Sequence, residues 1–389
     1  MVLIRRPLSD AERLDWLRLI RAENVGPITF FRLLDQYGSA AAALKGLPDL
    51  ARRGGRSQPL RIPTKADAEQ ERTACERAGV RMLAACEPDY PEALAAIDDR
   101  PPLLFVLGHV HLLRRPAVAV IGARNASANG RRFAQLLARD LSAAGLTVVS
   151  GLARGIDAAA HEGALAGGTV AVLAGGVDVI YPEENNTLYH RVIAEGAAIS
   201  ETPVGTQPQA RHFPRRNRLI SGLSLGVVVV EAALKSGSLI TARFALDQGR
   251  EVLAVPGSPL DPRSQGTNIL IREGATLIQS AADVLQALAH LIRPEASEPA
   301  GGAPGGAPAA PTPRIEEAEL ARARLLVLES LSPSPVPIDE LVRGCQLSAA
   351  MVQTVVLELE LAGRAERRPG NQVNLISTSE MESGLGSDP

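Results

Sequence analysis

The feature that most constrains this chain lies between Pro116 and Gly257, where short β-branched runs alternate with longer amphipathic segments. The runs are "PAVAVIGARNAS", "GLTVVS", "GTVAVLAGG", "GAAIS", "LGVVVVEA" and "REVLAVPG". Between them lie segments of helical length such as "NGRRFAQLLARDLSAAG" and "SLITARFALDQG". Strands alternating with helices predict a parallel, doubly wound α/β sheet. The runs are apolar almost throughout, as strands covered on both faces are. Ligands on such sheets sit beyond the C-terminal ends of the strands. The residues that follow each run are therefore the ones to weigh for function.

This α/β region is expected over 72–292. Before it, 10–68 reads as a small helical domain. "SDAERLDWLRLIRAENVGPITFFRLLDQYGSAAAAL" places apolar residues at helical spacing on both sides of "NVGP". Ser9 or Asp10 suits the first helix cap, and Pro27 the first turn of the second helix. Helix, Gly-Pro turn, helix is a layout of the helix-hairpin-helix or SAM kind. After the α/β region, 293–313 is rich in Ala, Gly and Pro and predicts a flexible linker. The last unit, 314–376, offers three helices and two extended runs around "PGNQ", which predicts a winged helix. Residues 377–389 are expected to be a disordered tail.

Composition narrows the function. The formal net charge over 389 residues is −2, so a nucleic-acid site must be a local patch. Lysine occurs only at Lys45, Lys65 and Lys235, and arginine carries most of the positive charge. Cys75, Cys86 and Cys345 are scattered, with neither disulfide nor zinc spacing. His109 and His111 lack partner ligands, so no metal is expected. No apolar run is long enough to span a bilayer, and the start of the chain lacks a signal-peptide core. A cytoplasmic protein without a membrane partner is the expectation.

Four segments should meet at the C-terminal edge of the sheet. In "IGARNAS", Arg124 can grip phosphate in a fork, and Asn125 and Ser127 can cap the next helix. "VVSGLARGIDAAAH" reads as strand, glycine loop and helix, with Ser150, Gly151 and Gly155 in or beside the loop. Such a joint turns backbone N–H groups and the helix dipole toward an anion. It is not G-x-G-x-x-G, and no P-loop occurs. "RHFPRRNRLISGLS" concentrates Arg211, Arg215, Arg216 and Arg218 around Phe213. Cations along a backbone plus an aromatic for stacking are the recipe for single-strand binding. "EAALKSGSLITA" adds Lys235 and the Ser236-Gly237-Ser238 turn at a helix start. Asp157 and His161 share a helix face and read as a cap and a satisfied histidine rather than a catalytic pair. Glu231, at a strand end, is expected to bond backbone N–H groups of the next loop.

Together these segments resemble the DNA-processing protein A (DprA/Smf) family. "YPEALAAIDDRPPLLFVLG", "AVIGARNAS", "VVSGLARGIDAAAHEGAL", "AVLAGGVDVIYPEENNTLY", "FPRRNRLISGLS", "VVVVEAALKSGSLITARFALDQGREVLAVPG" and "GTNILIREGA" follow the family pattern in order from Tyr90 to Ala275. The resemblance implies a Rossmann-like domain that binds single-stranded DNA, protects it, and loads the RecA recombinase in natural transformation. It implies a homodimer through that domain, a contact with single-strand-binding protein, no cofactor and no catalytic residues. By motif it assigns DNA contact to Arg124, Ser150, Gly151, Phe213, Arg216, Asn217, Arg218, Lys235, Ser236, Gly237 and Ser238. Leu270, Ile271, Leu277 and Ile278 are candidates for the dimer patch.

The winged-helix-like unit departs from a DNA reader. From Ile315 to Ile376 it carries six basic and nine acidic residues. Its last helix, "SAAMVQTVVLELELAG", has no Arg or Lys and includes Glu358 and Glu360. A helix entering a major groove needs cationic or polar base-reading groups. This unit is expected mainly to contact protein, with Arg364, Arg367 and Arg368 available for a weak phosphate contact. Two rival functions are a nucleotide phosphoribohydrolase of the lysine-decarboxylase-like (LOG) group and an adaptor with secondary DNA binding. The first lacks its helix glutamate in "KSGSLITARFALDQG". The second leaves the arginine run unexplained.

Overall fold

The computed structural model describes residues 5–292, 317–368 and 370–376. The expected linker over 293–313 and the tail over 377–389 lie outside the described residues.

Four helices open the chain: α1 (Asp10–Ile20), α2 (Pro27–Tyr37), α3 (Ala40–Arg53) and α4 (Lys65–Arg77). Ser9 caps α1 through its hydroxyl, and Glu12 returns a bond to the Ser9 N–H at 2.9 Å. That reciprocal pair satisfies two orphan donors of the first turn. Pro27 stands in the first turn of α2, where no N–H is needed. Trp16 meets Phe30 edge to face at 4.9 Å and fixes α1 against α2.

The central region follows as β1 (Arg81–Ala84), α5 (Glu92–Ala95), β2 (Leu103–Gly108), β3 (Ala117–Ile121), α6 (Ala128–Ala143), β4 (Thr147–Ser150), α7 (Ile156–Ala164), β5 (Thr169–Val172), α8 (Asn186–Glu195) and β6 (Ala197–Ser200). It continues with α9 (His212–Gly222), β7 (Gly226–Val229), α10 (Gly237–Asp247), β8 (Glu251–Ala254), α11 (Gln265–Arg272), β9 (Thr276–Leu277), α12 (Ala281–Ala287) and α13 (Ala289–Ile292). Among the described residues nine strands form one sheet, in the order β1-β2-β6-β5-β4-β3-β7-β8-β9. From β6 to β9 every pairing is parallel, while β1 and β2 are added antiparallel at one edge. The doubly wound, mainly parallel sheet is therefore present. The antiparallel pair escaped the alternation rule because only the short α5 and a turn separate the two strands.

Strands β3, β4, β5 and β7 are buried at every position, as the apolar runs required. Val118, Val120, Val148 and Val228 pack against Leu137 and Leu141 of α6 and Ala160 of α7. The small residues of α7 let it lie hard against α6. A Cβ on Gly163 would stand 2.1 Å from the Gln135 carbonyl oxygen. The strand order reverses between β3 and β7, and the loops after these two strands carry Arg124 and Lys235.

The chain's last described part holds α14 (Glu317–Ser330), β10 (Val336–Pro337), α15 (Ile338–Cys345), α16 (Ala349–Leu361), β11 (Ala365–Arg368) and β12 (Gln372–Leu375). The three strands pair as β10-β12-β11, so helices and a small sheet make the expected winged helix. Its core includes Ala323, Val327, Val352, Val355, Val356 and Val373. The compact bodies do not follow chain order. Residues 5–13 and 66–292 form one, and residues 14–65 form the other together with 317–368 and 370–376. No described helix is long and apolar enough to cross a membrane.

Candidate nucleic-acid interface

The loops after β3, β4 and β5 and the start of α9 surround one pocket at the C-terminal edge of the sheet. Arg124, Arg154, Tyr181 and Phe213 line it, with Gly151, Leu173, Ala174, Gly175 and Arg216 deeper in. The Arg124 guanidinium lies over the Phe213 ring, 5.4 Å from its centroid. Phe213 in turn meets Tyr181 with centroids 5.6 Å apart and planes at 58°. A cation and two aromatic rings thus form a continuous row along the pocket. The rings offer aromatic surface to a flat ligand, and the guanidinium, which lies over one face of Phe213, offers a fork to an anion.

Arg124 owes its place to a chain of bonds below it. Ser127 caps α6 by accepting from the Gly130 N–H at 2.8 Å. Glu231, beyond the end of β7, accepts from the Ser127 N–H at 2.9 Å and from its hydroxyl at 2.5 Å. A Cβ on Gly130 would stand 2.5 Å from that carboxylate. Glu231 therefore serves the loop after β3, not the loop that follows it in sequence as expected. The reason is the sheet order, which makes β3 the neighbour of β7.

The glycine loop after β4 is held from both ends. Arg216 reaches it from α9, is 6% exposed, and donates to the Gly151 carbonyl at 2.6 Å and to the Val172 carbonyl. Asp157 accepts from the Gly151 N–H at 3.2 Å and the Ala153 N–H at 3.3 Å. Burial pushes the Arg216 pKa down to about 10, opposed by Asp157. The guanidinium stays charged at neutral pH. Burial raises the Asp157 pKa, against the pull of Arg216 and the two N–H bonds. One turn along α7, His161 is buried with Nδ1 2.7 Å from the Thr169 hydroxyl. Burial and Arg216 push its pKa down to about 3, so the ring is neutral. Asp157 is a loop clasp rather than part of a catalytic pair, and His161 is a core histidine satisfied at Nδ1 only, since its buried Nε2 has no hydrogen-bond partner among the described residues.

Several expected contacts are revised by this geometry. The Ser150 hydroxyl is fully buried and donates to the Val120 carbonyl at 2.7 Å, tying β4 to β3. Gly151 spends its N–H on Asp157, so that amide does not face a ligand. Arg216 turns into the protein and shapes the pocket wall. Arg218 is also turned inward, where it pairs with Glu201 and, at 3.4 Å, with Asp99. The cause is that α9 is packed on more than one side. Arg216 and Arg218, two apart on the helix, point to different faces, yet both are buried: Arg216 meets the carbonyls of Gly151 and Val172, and Arg218 meets Glu201 and Asp99. Ser236 caps α10 and Ser238 donates to the Gly122 carbonyl at 2.8 Å, which makes that turn a structural joint. Ile278 is fully buried, so of the four dimer-patch candidates it is not on the surface.

Arg124, Asn125, Arg211, Arg215, Lys235 and Gly237 are exposed, while Phe213, Asn217 and Ser236 are half-buried. His212, at the start of α9, accepts from the Gln209 N–H at 3.3 Å. Partial burial, then Arg211 and Arg215, lower its pKa. Tyr181 is the functional candidate the sequence reading passed over. Its signal was an aromatic placed after the strand run "GTVAVLAGG", within "YPEENNTLY". Among the described residues no group of His, Cys, Asp and Glu is arranged to hold a metal ion.

A parallel α/β sheet with a cationic and aromatic pocket at its C-terminal edge is a geometry that can receive a flat, anionic ligand. Comparison with known proteins gives that geometry a family. The family described as DNA recombination-mediator protein A matches residues 81–289, with the DprA-like N-terminal HHH domain at 10–74 and the DprA winged helix domain at 307–371. The chain belongs to this DprA/Smf family of DNA-processing proteins. It is 40% identical to Protein Smf of Escherichia coli (strain K12), over 77% of this chain and 79% of that protein. Among solved structures it is similar to DNA processing protein A from Streptococcus pneumoniae, with a TM-score of 0.59 and 36% identity, covering 72% of this chain and 98% of that one. It is also similar to DNA processing protein A from Helicobacter pylori, described for its single-stranded DNA binding mode, with a TM-score of 0.50 and 31% identity, covering 54% and 96%.

Proposed function

We propose that this protein binds single-stranded DNA along the C-terminal edge of its sheet and loads the RecA recombinase onto it. The observation that carries the reading is the row Arg124, Phe213, Tyr181 at the mouth of the pocket. Bases stack on Phe213 and Tyr181, and Arg124, Asn125, Arg211, Arg215 and Lys235 follow the phosphates. Asn217 and the exposed Gly237 complete the path. Ser150, Gly151, Arg216, Arg218, Ser236 and Ser238 hold that surface in shape and contribute through it. A base on an aromatic contributes about 1–3 kcal/mol and is tolerant of sequence. The site therefore accepts any single strand, as a recombination mediator requires. The protein acts by binding rather than by catalysis, as a homodimer through the α/β domain. Single-strand-binding protein is the coat it works against.

The test is RecA filament formation on single strands coated with single-strand-binding protein. The wild-type protein shortens the lag, and the Arg124→Ala, Phe213→Ala double variant does not. A double variant as effective as wild type would remove DNA contact at this pocket from the mechanism.

A further inference from the structure

A helix-turn-helix protein that reads duplex DNA offers its second helix to the major groove. In the winged helix α16 holds that position, and it is buried along most of its length. Val352, Val355, Val356 and Leu359 form its inner face, in the winged-helix core. Leu357, Glu358, Leu361 and Ala362 form a second stripe and are also buried, at 7% exposure or less.

The cover over that second stripe is residues 14–65 of the chain's own N-terminal helical domain, which belong to the same compact body. Gly54, at the end of α3, lies so close that a Cβ would stand 2.0 Å from the Glu358 carbonyl oxygen and 2.8 Å from the Ala362 Cβ. The Asn24 side-chain amide donates to the Leu361 carbonyl at 3.2 Å. A Cβ on Gly55 would meet the Arg364 guanidinium at 2.9 Å. At 54 only a residue without a side chain allows this approach, and at 55 the backbone lies at φ +96°, which favours glycine.

The charges on α16 also turn inward. Glu358 is fully buried and bonded by Arg324 at 2.6 and 3.2 Å. Glu360 pairs with Arg367 at 3.2 Å. A DNA-reading helix hidden beneath a removable cover would keep its cations under that cover. Between Ala349 and Leu361 there is neither Arg nor Lys. A stripe of Leu, Glu, Leu and Ala, with the acid neutralised from its own domain, is a surface for protein.

We propose that α16 is the docking helix for the chain's own N-terminal helical domain. The two ends of the chain then form one clasp, and the winged helix has no face that reads duplex DNA. This deepens the expectation that the unit contacts protein, and it stands independently of the single-strand site.

The test uses the full chain with a protease site inserted after Gly302. After cleavage the C-terminal piece co-elutes with the rest on gel filtration. Leu361→Glu and Gly54→Gln each release it, while Leu325→Gln, at an exposed position of α14, does not. Trp16 is the only tryptophan, and its emission is unchanged in the released Leu361→Glu form, so the N-terminal helices remain folded. Duplex affinity of uncut Leu361→Glu equals wild type. Separation of the wild-type pieces, or full retention in both clasp variants, would overturn the docking. A severalfold gain in duplex affinity in Leu361→Glu would make α16 a covered DNA reader instead.

Discussion

Helices α9 and α16 both carry charge that invites a DNA reading or forbids it, and their folded surfaces differ from their sequences in opposite degrees. Helix α9 divides its charge. Arg216 and Arg218 face inward and brace the sheet edge, while Arg215, with Arg211 just before the helix, faces water beside Phe213. Helix α16 keeps both glutamates inside, each against an arginine of its own domain. A count of charges along a segment therefore does not measure the field it presents. Helical phase and the partner across the contact decide it.

The comparison breaks most severely at Arg216. Arg216→Ala leaves two carbonyls without their donor and Asp157 without its nearest compensating charge. Roughly 3 kcal/mol or more of stability is lost, measured by denaturant unfolding. Single-strand affinity falls with it. A variant of wild-type stability that binds DNA poorly would instead place Arg216 on the ligand. Phe213→Ala should cost about 1–3 kcal/mol of single-strand affinity with little change in stability, as titration of oligo-dT would read. Equal affinity would move the stacking to Tyr181 alone.

A third effect concerns acid. His161 is held neutral, with its folded pKa lowered from 6.5 to about 3. Its contribution is present above pH 6.5 and is lost as pH falls toward 3. Stability should decline in the upper part of that window, before carboxylates titrate, and His161→Leu should flatten the decline. The smallest effect belongs to the outer arginines. Arg211→Ala or Arg215→Ala should leave stability unchanged. Each should reduce the slope of log affinity against log salt by roughly 0.7 for every phosphate that is no longer neutralised. An unchanged slope would take that residue off the strand path.

Much of the fold was legible because its strands are apolar runs with helices between them. β1 and β2 were not, since an antiparallel pair joined by a short helix and a turn lacks that rhythm. The site was legible by segment but not by residue. Arg124 and Phe213 stand at the pocket as their motifs suggested. Ser150 and Arg218 do not, because a hydroxyl on a central strand and an arginine on a buried face of α9 find partners within the protein first. The joining of residues 14–65 to the winged helix left no sequence signal beyond an acidic, apolar α16, since it depends on a glycine at 54 whose role is set by a distant segment.

The most direct measurement is a titration of labelled oligo-dT and a matching duplex against wild type and the Arg124→Ala, Phe213→Ala double variant, at two salt concentrations. The expected result is strong single-strand preference in wild type, lost in the double variant, with weak duplex binding in both. Equal affinity for duplex, or a double variant that binds single strands as wild type does, would contradict a single-strand site at this pocket.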